Sequence, residues 1–224
     1  MDNIIETTNL CKSFKLKDQT VEILKNINLE IKKGDFCSIM GPSGSGKSTL
    51  LYLLGGLDKP TSGEIKINGK KLVGMNDKEE SKMRRRDIGF VFQFYNLVPN
   101  LNVEENIMLP ILLDNKKLKN YKHELEEILN IVGLENRRKH TPRELSGGQQ
   151  QRVAIARALI NKPDIIFADE PIGNLDSKTG IEVMEVLQNI NQVHKKTIIQ
   201  VTHSKESATY GTQIITVKDG QICN

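Results

Sequence analysis

A glycine-rich segment in the first quarter of the chain constrains the fold more than any other feature. The segment consists of Gly41, Pro42, Ser43, Gly44, Ser45, Gly46, Lys47 and Ser48. It follows the apolar run Phe36–Met40 and leads into helix-forming residues from Lys47 to Gly55. This order predicts a buried strand, a tight loop and a helix, with backbone N–H groups converging on an anion at the helix N-terminus.

The residue types in this loop indicate a triphosphate ligand. Glycines allow the backbone to wrap closely around phosphate oxygens, and the dipole of the following helix favours negative charge. We expect the ammonium group of Lys47 to reach the β and γ phosphates. We expect the hydroxyl of Ser48 to bind Mg²⁺, because this ion prefers hard oxygen ligands together with phosphate and water.

A second motif ends an apolar segment with two acids. Ile165–Ala168 is apolar throughout, and Asp169 and Glu170 follow it directly. Such a strand places both carboxylates at the carboxyl edge of a sheet, where nucleotides bind in folds of this kind. We expect Asp169 to hold Mg²⁺ through water and Glu170 to polarise the attacking water as general base. Taken alone, two such acids more often form a solvated strand end, so this assignment depends on the phosphate loop.

A third motif lies well downstream of the phosphate loop. It consists of Leu145, Ser146, Gly147, Gly148 and Gln149. A serine and two glycines that open a helical pattern predict a second anion site with accessible backbone N–H groups. One chain seldom needs two such sites for one triphosphate, and an ordinary helix cap is the alternative interpretation.

The three motifs together resemble those of the ATP-binding subunits of ATP-binding-cassette (ABC) transporters, and the match runs from Phe14 to His203. The resemblance implies an α/β fold with a P-loop NTPase core, a mainly parallel sheet, an antiparallel β lobe and an inserted helical lobe. We therefore expect a single ABC ATPase domain over residues 1–224. Its β lobe should lie within about 1–35 and 60–90, and its helical lobe within about 94–160.

The resemblance also implies Mg²⁺-dependent ATP hydrolysis and assigns further residues to it. Thr49 would contact the α phosphate, and Phe14 would stack on adenine, although a core position also fits Phe14. Gln93 follows the predicted strand Ile88–Phe92 and would touch Mg²⁺ and water. His203 follows the predicted strand Thr197–Val201 and would contact the γ phosphate.

In this family two copies pair head to tail. The resemblance therefore implies that Ser146, Gly147, Gly148 and Gln149 of one copy close over ATP held by Lys47 of the other. The segment Asn174–Asp176 matches the loop that crosses the interface. The chain departs from its relatives at Ile172, where threonine is common, so one hydroxyl is missing. We expect hydrolysis to survive this change.

Hydrophobic periodicity predicts the remaining elements. Ile4–Phe14 and Val21–Ile31 resemble strands of an antiparallel lobe, joined by the polar loop Lys15–Thr20. A mostly helical pattern runs from Val103 to about Leu159, and Pro110 and Pro142 mark predicted breaks in it. Further strands, with a turn signal at Asn68 and Gly69, are predicted at Glu64–Ile67, Ile88–Phe92, Asp164–Ala168, Thr197–Val201 and Gln213–Val217.

Longer segments resemble one branch of the family, which serves macrolide exporters, lipoprotein-release systems and antimicrobial-peptide transporters. They are FQFYNLVPNLNVEENIMLP at 92–110, GLDKPTSGEI at 56–65 and ADEPIGNLDS at 168–177. In that branch a separate membrane permease is the partner, and Phe94–Leu112 would form the groove that receives it. Packing of the lobe explains the apolar residues of this segment equally well. The expected location is the cytoplasmic face of the cell membrane.

Other function classes remain open from the sequence. A cell-division ATPase that signals through a membrane partner fits almost as well as an exporter, and an amino-acid importer subunit is also possible. Soluble relatives that act on ribosomes or DNA usually have two cassettes or a long coiled-coil insertion, which this chain lacks. The basic cluster at Lys82 and Arg84–Arg86 is interspersed with acids, so we expect a solvated mixed-charge helix and no nucleic-acid partner.

Composition limits the class of protein. The 224 residues include 38% hydrophobic and 27% charged residues, which is ordinary for a soluble α/β protein. No apolar run approaches the roughly 20 residues that span a bilayer, and the first ten residues lack a secretory pattern. Cys11, Cys37 and Cys223 share no ligand-like spacing, so we expect reduced thiols rather than disulfides or a zinc site.

Overall fold

The computed structural model describes residues 3–17 and 19–223. Within that part of the chain the helices are α1 (Lys47–Leu54), α2 (Asp77–Arg86), α3 (Val103–Leu113), α4 (Lys122–Val132), α5 (Gly147–Leu159), α6 (Ser177–Gln192) and α7 (Lys205–Ala208). The strands are β1 (Asn3–Leu16), β2 (Gln19–Lys32), β3 (Phe36–Met40), β4 (Ser62–Ile67), β5 (Lys70–Lys71), β6 (Ile88–Val91), β7 (Ile165–Asp169), β8 (Thr197–Val201), β9 (Gln213–Lys218) and β10 (Gln221–Cys223).

The chain forms two compact units. The first contains the described residues up to Arg84 and from Thr197 onward, and the second contains Arg85–Lys196. Within the described residues no helix combines the length and the apolar character that a membrane crossing requires.

The first unit combines an antiparallel sheet with parallel strands. The antiparallel strands follow the order β2-β1-β4-β5, and Asn68 and Gly69 make the turn between β4 and β5 with φ of 49° and 72°. In the parallel part, β3 lies between β8 and β9, and β10 pairs antiparallel with β9. β3 and β8 are buried along nearly their whole length, as expected for central parallel strands.

The second unit is mainly helical and contains one parallel strand pair. β6 and β7 pair from Ile88 opposite Ile165 to Val91 opposite Ala168. The ring of Phe90 stacks between strands on Phe167, with 5.3 Å between centroids. Helix α5 approaches β6 closely at Gly89, where an added Cβ would lie 2.6 Å from the carbonyl oxygen of Ala158. Glycine at this position therefore sets the distance between helix and strand.

A buried asparagine holds the loop that precedes α3 in the second unit. The side chain of Asn106 is fully buried, and its Oδ1 accepts a 2.8 Å hydrogen bond from the backbone N–H of Val98. Its Nδ2 donates to the carbonyl oxygens of Val98, Leu101 and Asn102 at 2.9–3.2 Å. Asn102 in turn caps α3 through a capping box with Glu105.

The fold class and most elements agree with the sequence, and the main differences are local. The predicted break at Pro110 is wrong, because Pro110 lies inside α3 and the helix continues to Leu113. A proline inside a helix removes one backbone hydrogen bond. Packing of the buried side chains of Ile107 and Ile111 on either side of it stabilises the helix. The predicted loop Lys15–Thr20 is shorter than expected, because Leu16 pairs with Gln19 across the hairpin. The short strand β10 was not predicted, since three residues carry almost no periodicity.

The basic cluster is a mixed-charge helix, as predicted. Met83 is the buried residue of α2, and Arg84 forms an i, i+4 ion pair with Glu80. Arg85 and Arg86 lie against Asp114 at 3.4 and 2.8 Å. Hydrogen bonding to Arg86 leads the effects that lower the pKa of the Asp114 carboxyl to about 2.

We expect Asn106→Leu to lower the free energy of unfolding by about 2–4 kcal/mol, because leucine has a similar volume but leaves buried backbone groups without partners. Chemical denaturation followed by circular dichroism measures this change. Asn189→Leu makes the same replacement at an exposed position on α6 and should have little effect. Equal stability of both variants would contradict the role given to Asn106.

Candidate nucleotide-binding site

The phosphate loop leaves β3 and enters α1 with the predicted geometry. An added Cβ at Gly41 would lie 1.9 Å from the carbonyl oxygen of Val217, so only glycine fits where the loop begins. Gly46 precedes α1 with φ of 98°, a left-handed conformation that glycine adopts without strain. No described side chain caps this helix start. An added Cβ at Gly44 would meet nothing within 4 Å, so the loop is open on that side.

The side chains of the loop fit an anion with a bound cation. Lys47 is mostly buried, and its ammonium group donates a 2.9 Å hydrogen bond to the carbonyl oxygen of Pro42 across the loop. Ser45 Oγ is buried and has no hydrogen-bond partner among the described residues. Pro42, Ser43 and Gly44 are exposed, whereas Ser48 and Thr49 are half-buried at the start of α1. The loop therefore offers a cation and a spare hydroxyl beside an uncapped helix end.

Parallel pairing places His203 at the same sheet edge as the start of this loop. Ile39 pairs with Val201, and the N–H of Thr202 donates a 3.1 Å hydrogen bond to the carbonyl oxygen of Ile39. His203 is the next residue, and its side chain is exposed.

Phe14 lies at the solvent-facing side of the antiparallel sheet. Its side chain is 42% exposed, so the alternative that it belongs to the core is wrong. The ammonium group of Lys12 lies 4.8 Å from the centroid of the Phe14 ring and is held 2.7 Å from Asp58. An exposed aromatic face beside a fixed cation is compatible with stacking of a base, which stays a prediction.

In the second unit, β6 and β7 bring Gln93 close to the loop that follows Glu170. Asp169 is buried at the end of β7, and Glu170 adopts a left-handed φ of 46°, which is uncommon for a residue other than glycine. Gln93 makes two hydrogen bonds with Asn174: its side-chain Nε2 donates to Asn174 Oδ1, and its backbone carbonyl oxygen accepts from Asn174 Nδ2. An added Cβ at Gly173 would lie 2.9 Å from Gln93 Nε2 and 3.3 Å from Glu170 Cβ.

The third motif opens α5 with a capping box. Ser146 Oγ accepts a hydrogen bond from the N–H of Gln149, and Gln149 Oε1 accepts one from the N–H of Ser146. Ser146 is exposed and Gly148 is buried. An added Cβ at Gly148 would lie 2.0 Å from Thr179 Cγ2, and one at Gly147 would lie 2.9 Å from the Tyr95 hydroxyl. Packing within the same unit therefore already requires glycine at 148, whereas a side chain at 147 would displace the end of the Tyr95 side chain.

Two polar residues of α5 that the sequence did not single out connect this helix to the other motifs. Gln151 is fully buried and donates a 2.7 Å hydrogen bond to the carbonyl oxygen of Pro171. Arg157 donates to the carbonyl oxygens of Tyr95 and Asn96 at 2.8 and 2.6 Å, and burial lowers the pKa of its guanidinium group. The only sign of these contacts in the sequence is that both polar residues fall on the inner face of a predicted helix.

The loop after Glu170 is ordered without the missing threonine. Ile172 packs on Gly180 of α6, where its side-chain atoms lie 3.5–3.9 Å from an added Cβ. Asp176 caps α6 by accepting a 3.1 Å hydrogen bond from the N–H of Thr179. Hydrogen bonds from Thr179 lower the pKa of the Asp176 carboxyl.

In the part of the chain that the structure describes, the possible metal ligands are oxygen donors rather than clustered histidines or cysteines. Among the described residues, no group of three or more His, Cys, Asp and Glu side chains is placed to hold a metal ion. Ser48, Gln93 and Asp169 offer hydroxyl, amide and carboxylate oxygens, which are the donor types that Mg²⁺ prefers. The three cysteines are free, and burial and the charge of Asp35 raise the pKa of Cys37 to about 12.

We expect Gly148→Ala to destabilise the protein by about 1–3 kcal/mol through its clash with Thr179 Cγ2. Thr179→Ser removes that methyl group, so the double variant should recover most of the loss. Gly180→Ala is the control, because its nearest neighbour lies 3.5 Å away. Chemical denaturation measures all three variants, and failure of Thr179→Ser to restore stability would contradict the packing role of Gly148.

Known proteins are similar to this chain in sequence and in fold over nearly its whole length. The family described as ABC transporter matches residues 24–173. The ABC transporter ATP-binding protein MJ0796 of Methanocaldococcus jannaschii is 48% identical over 98% of this chain and 95% of its own length. The bacitracin export ATP-binding protein BceA of Halalkalibacterium halodurans is 43% identical over 98% of this chain and 87% of its own.

A larger relative and a solved structure extend the comparison. The macrolide export ATP-binding/permease protein MacB of Bdellovibrio bacteriovorus is 44% identical, and this chain spans 33% of its length. The dimeric post-hydrolysis structure of MJ0796 bound to ADP and Pi superimposes with a TM-score of 0.89 at 46% identity, covering 98% of this chain and 97% of that one. The chain belongs to the ABC transporter family and is one of its ATP-binding, ATP-hydrolysing subunits.

Proposed function

We propose that this chain is a single ABC ATPase domain that hydrolyses Mg²⁺-ATP at two sites shared by two copies, and that the cycle drives a separate membrane permease. One observation carries the proposal: the starts of α1 and α5 both have the composition of anion sites, one in each unit. Head-to-tail pairing gives each ATP one site of each kind. The solved structure of MJ0796 is a dimer with ADP and Pi.

In the proposed site the phosphate loop binds the triphosphate. Backbone N–H groups of residues 43–49 surround the phosphate oxygens, and the Lys47 ammonium group leaves the carbonyl oxygen of Pro42 to neutralise the β and γ phosphates. Thr49 contacts the α phosphate and His203 the γ phosphate. Phe14 offers its exposed ring to adenine.

The catalytic groups act on the γ phosphate and its water. Mg²⁺, when bound, supplies charge neutralisation on the phosphates, with Ser48, Gln93 and Asp169 as the residues that hold it directly or through water. Glu170 accepts the proton of the attacking water as general base. Its left-handed backbone directs the chain out of β7 and into the loop that contacts Gln93.

The second copy completes the site. Ser146, Gly147, Gly148 and Gln149 present the start of α5 to the phosphates bound by the other copy. ATP then contacts both copies and favours the closed dimer, and loss of the γ phosphate reopens it. Closure of the dimer is the step that performs work on the permease.

The segment Phe94–Leu112 provides the surface for that permease. Phe94 is 73% exposed and Leu112 is 56% exposed, so these side chains are not needed to pack the unit. Tyr95, Leu97 and Leu101 of the same segment are half-buried. This surface would hold the chain at the cytoplasmic face of the membrane. The named relatives favour export of macrolides or antimicrobial peptides as the transported class. Lipoprotein release stays a prediction from the sequence.

We expect Glu170→Gln to bind ATP but to hydrolyse it at least about a hundredfold more slowly, because the amide cannot accept the proton of water. Phosphate release measures turnover, and nucleotide fluorescence measures binding. Glu185→Gln, which changes an exposed glutamate of α6, should keep the unaltered rate. A Glu170→Gln variant that turns over at nearly the unaltered rate would exclude Glu170 as the base.

We expect Ile172→Thr to change turnover by less than about tenfold, since Ile172 already packs on Gly180 and the cap of α6 is intact. The same phosphate-release assay measures this variant. A gain of about a hundredfold, which corresponds to nearly 3 kcal/mol in the barrier, would show that the missing hydroxyl limits catalysis.

The permease assignment is tested by affinity capture from native membranes with tagged Glu170→Gln protein, with and without Mg²⁺-ATP. Mass spectrometry should identify an integral-membrane permease with a large extracytoplasmic domain. Phe94→Asp should lose this partner while it retains ATP hydrolysis. Recovery of ribosomal or DNA-bound proteins alone would overturn the transport assignment.

A further inference from the structure

Gln93 and Asn174 make a reciprocal pair of hydrogen bonds in the second unit. Gln93 Nε2 donates to Asn174 Oδ1 at 3.3 Å, and Asn174 Nδ2 donates to the backbone carbonyl oxygen of Gln93 at 3.0 Å. We propose that Asn174 is a positioning residue for Gln93, which fixes the side-chain amide so that Oε1 is the atom presented to Mg²⁺ and the attacking water. This inference rests on the metal-binding role proposed for Gln93.

The orientation follows from donors and acceptors alone. A backbone carbonyl oxygen can only accept, so Asn174 must turn its Nδ2 toward the carbonyl group of Gln93. Its Oδ1 is then the atom that faces the Gln93 side chain, and this oxygen can also only accept. Gln93 must therefore point Nε2 at Asn174, and Oε1 is the end of the amide that this bond leaves available.

This orientation matters because the two ends of a glutamine amide differ chemically. The oxygen has lone pairs that can bind a metal ion. The NH₂ group donates hydrogen bonds and has no lone pair available for a metal ion. The terminal torsion of glutamine is broad and roughly two-fold, so an unrestrained amide would present either end. A partner that binds only the nitrogen selects the orientation suited to a metal ligand.

The loop that contains Asn174 is itself held in place. The N–H of Gly173 donates to the carbonyl oxygen of Glu170 at 3.0 Å, and the N–H of Leu175 donates to that of Ile172 at 3.1 Å. Gln93 Nε2 and Glu170 Cβ both lie close to Gly173, so a side chain at this position would press against them. Asn174 is therefore fixed by the same tight turn that follows the proposed general base.

Asn174→Leu removes both hydrogen bonds while it keeps a similar volume. We expect it to raise the concentration of Mg²⁺ needed for half-maximal hydrolysis by about tenfold or more, as loss of a residue that orients a metal ligand commonly does. Binding of ATP in the presence of EDTA and the denaturation midpoint should stay close to those of the unaltered chain. Asn189→Leu, the same change at an exposed position, should alter none of these values.

A double-variant cycle separates positioning of Gln93 from a direct role of Asn174 at the dimer interface. Gln93→Ala alone should raise the Mg²⁺ requirement, and Asn174→Leu should add less than about twofold in that background. An equal effect of Asn174→Leu with and without Gln93 would overturn the proposal, as would an unchanged Mg²⁺ requirement in the single variant.

Two readouts do not depend on hydrolysis. Electron paramagnetic resonance measures the affinity for Mn²⁺ in the presence of a non-hydrolysable ATP analogue, and Asn174→Leu should weaken it about tenfold. In protein labelled with ¹⁵N-glutamine, the Gln93 side-chain resonance should shift in Asn174→Leu. Absence of hydrolysis by the unaltered chain would count against the proposed function. Unchanged Mn²⁺ affinity and an unshifted Gln93 resonance would count against the positioning role.

Discussion

Parallel pairing of short buried strands is the constraint on which the rest of this structure depends. In the first unit Ile39 pairs with Val201, and in the second Val91 pairs with Ala168. Because parallel strands end at the same edge, the residues that follow each pair become neighbours without being close in sequence. The start of the phosphate loop lies beside Thr202, and Gln93 lies beside the loop that follows Glu170.

Helix α5 organises the second unit around this edge. Gly89 lets the helix approach β6, and Gly148 lets its first turn approach Thr179 of α6. Gln151 then donates to the carbonyl oxygen of Pro171, just after Glu170, and Arg157 donates to that of Asn96, just after Gln93 and its neighbours. Gly148 thus has two physical reasons to be glycine, namely close packing within one copy and, as proposed, access for a phosphate of the other.

Much of this architecture could be predicted from the sequence because the main motifs are local. The segment Phe36–Met40 is apolar and ends in glycines, so both the strand and the loop follow from neighbouring residues. The exposure of Phe14 could not be predicted, since a strand position with period two fits either face. Pro110 was misjudged because tertiary packing of Ile107 and Ile111 holds the helix together on either side of it, and a local pattern does not show that packing.

The contacts that no local pattern reveals join residues far apart in the chain. Asn174 and Gln93 are separated by 81 positions, and Gln151 and Pro171 by 20. Nothing in either segment alone indicates that one amide selects the orientation of another. The first pair follows from the register of β6 and β7, and the second from the packing of α5, and the sequence specifies neither at the level of single residues.

The central claim is that each ATP is hydrolysed between two copies, with Lys47 from one and Ser146 from the other. Lys47→Ala and Ser146→Arg variants should each be inactive alone, and phosphate release should be measured after they are mixed. In a mixed dimer one site combines the intact Lys47 of the second variant with the intact Ser146 of the first, so the account predicts that mixing restores hydrolysis. A mixture that forms dimers but stays as inactive as either variant would contradict shared sites.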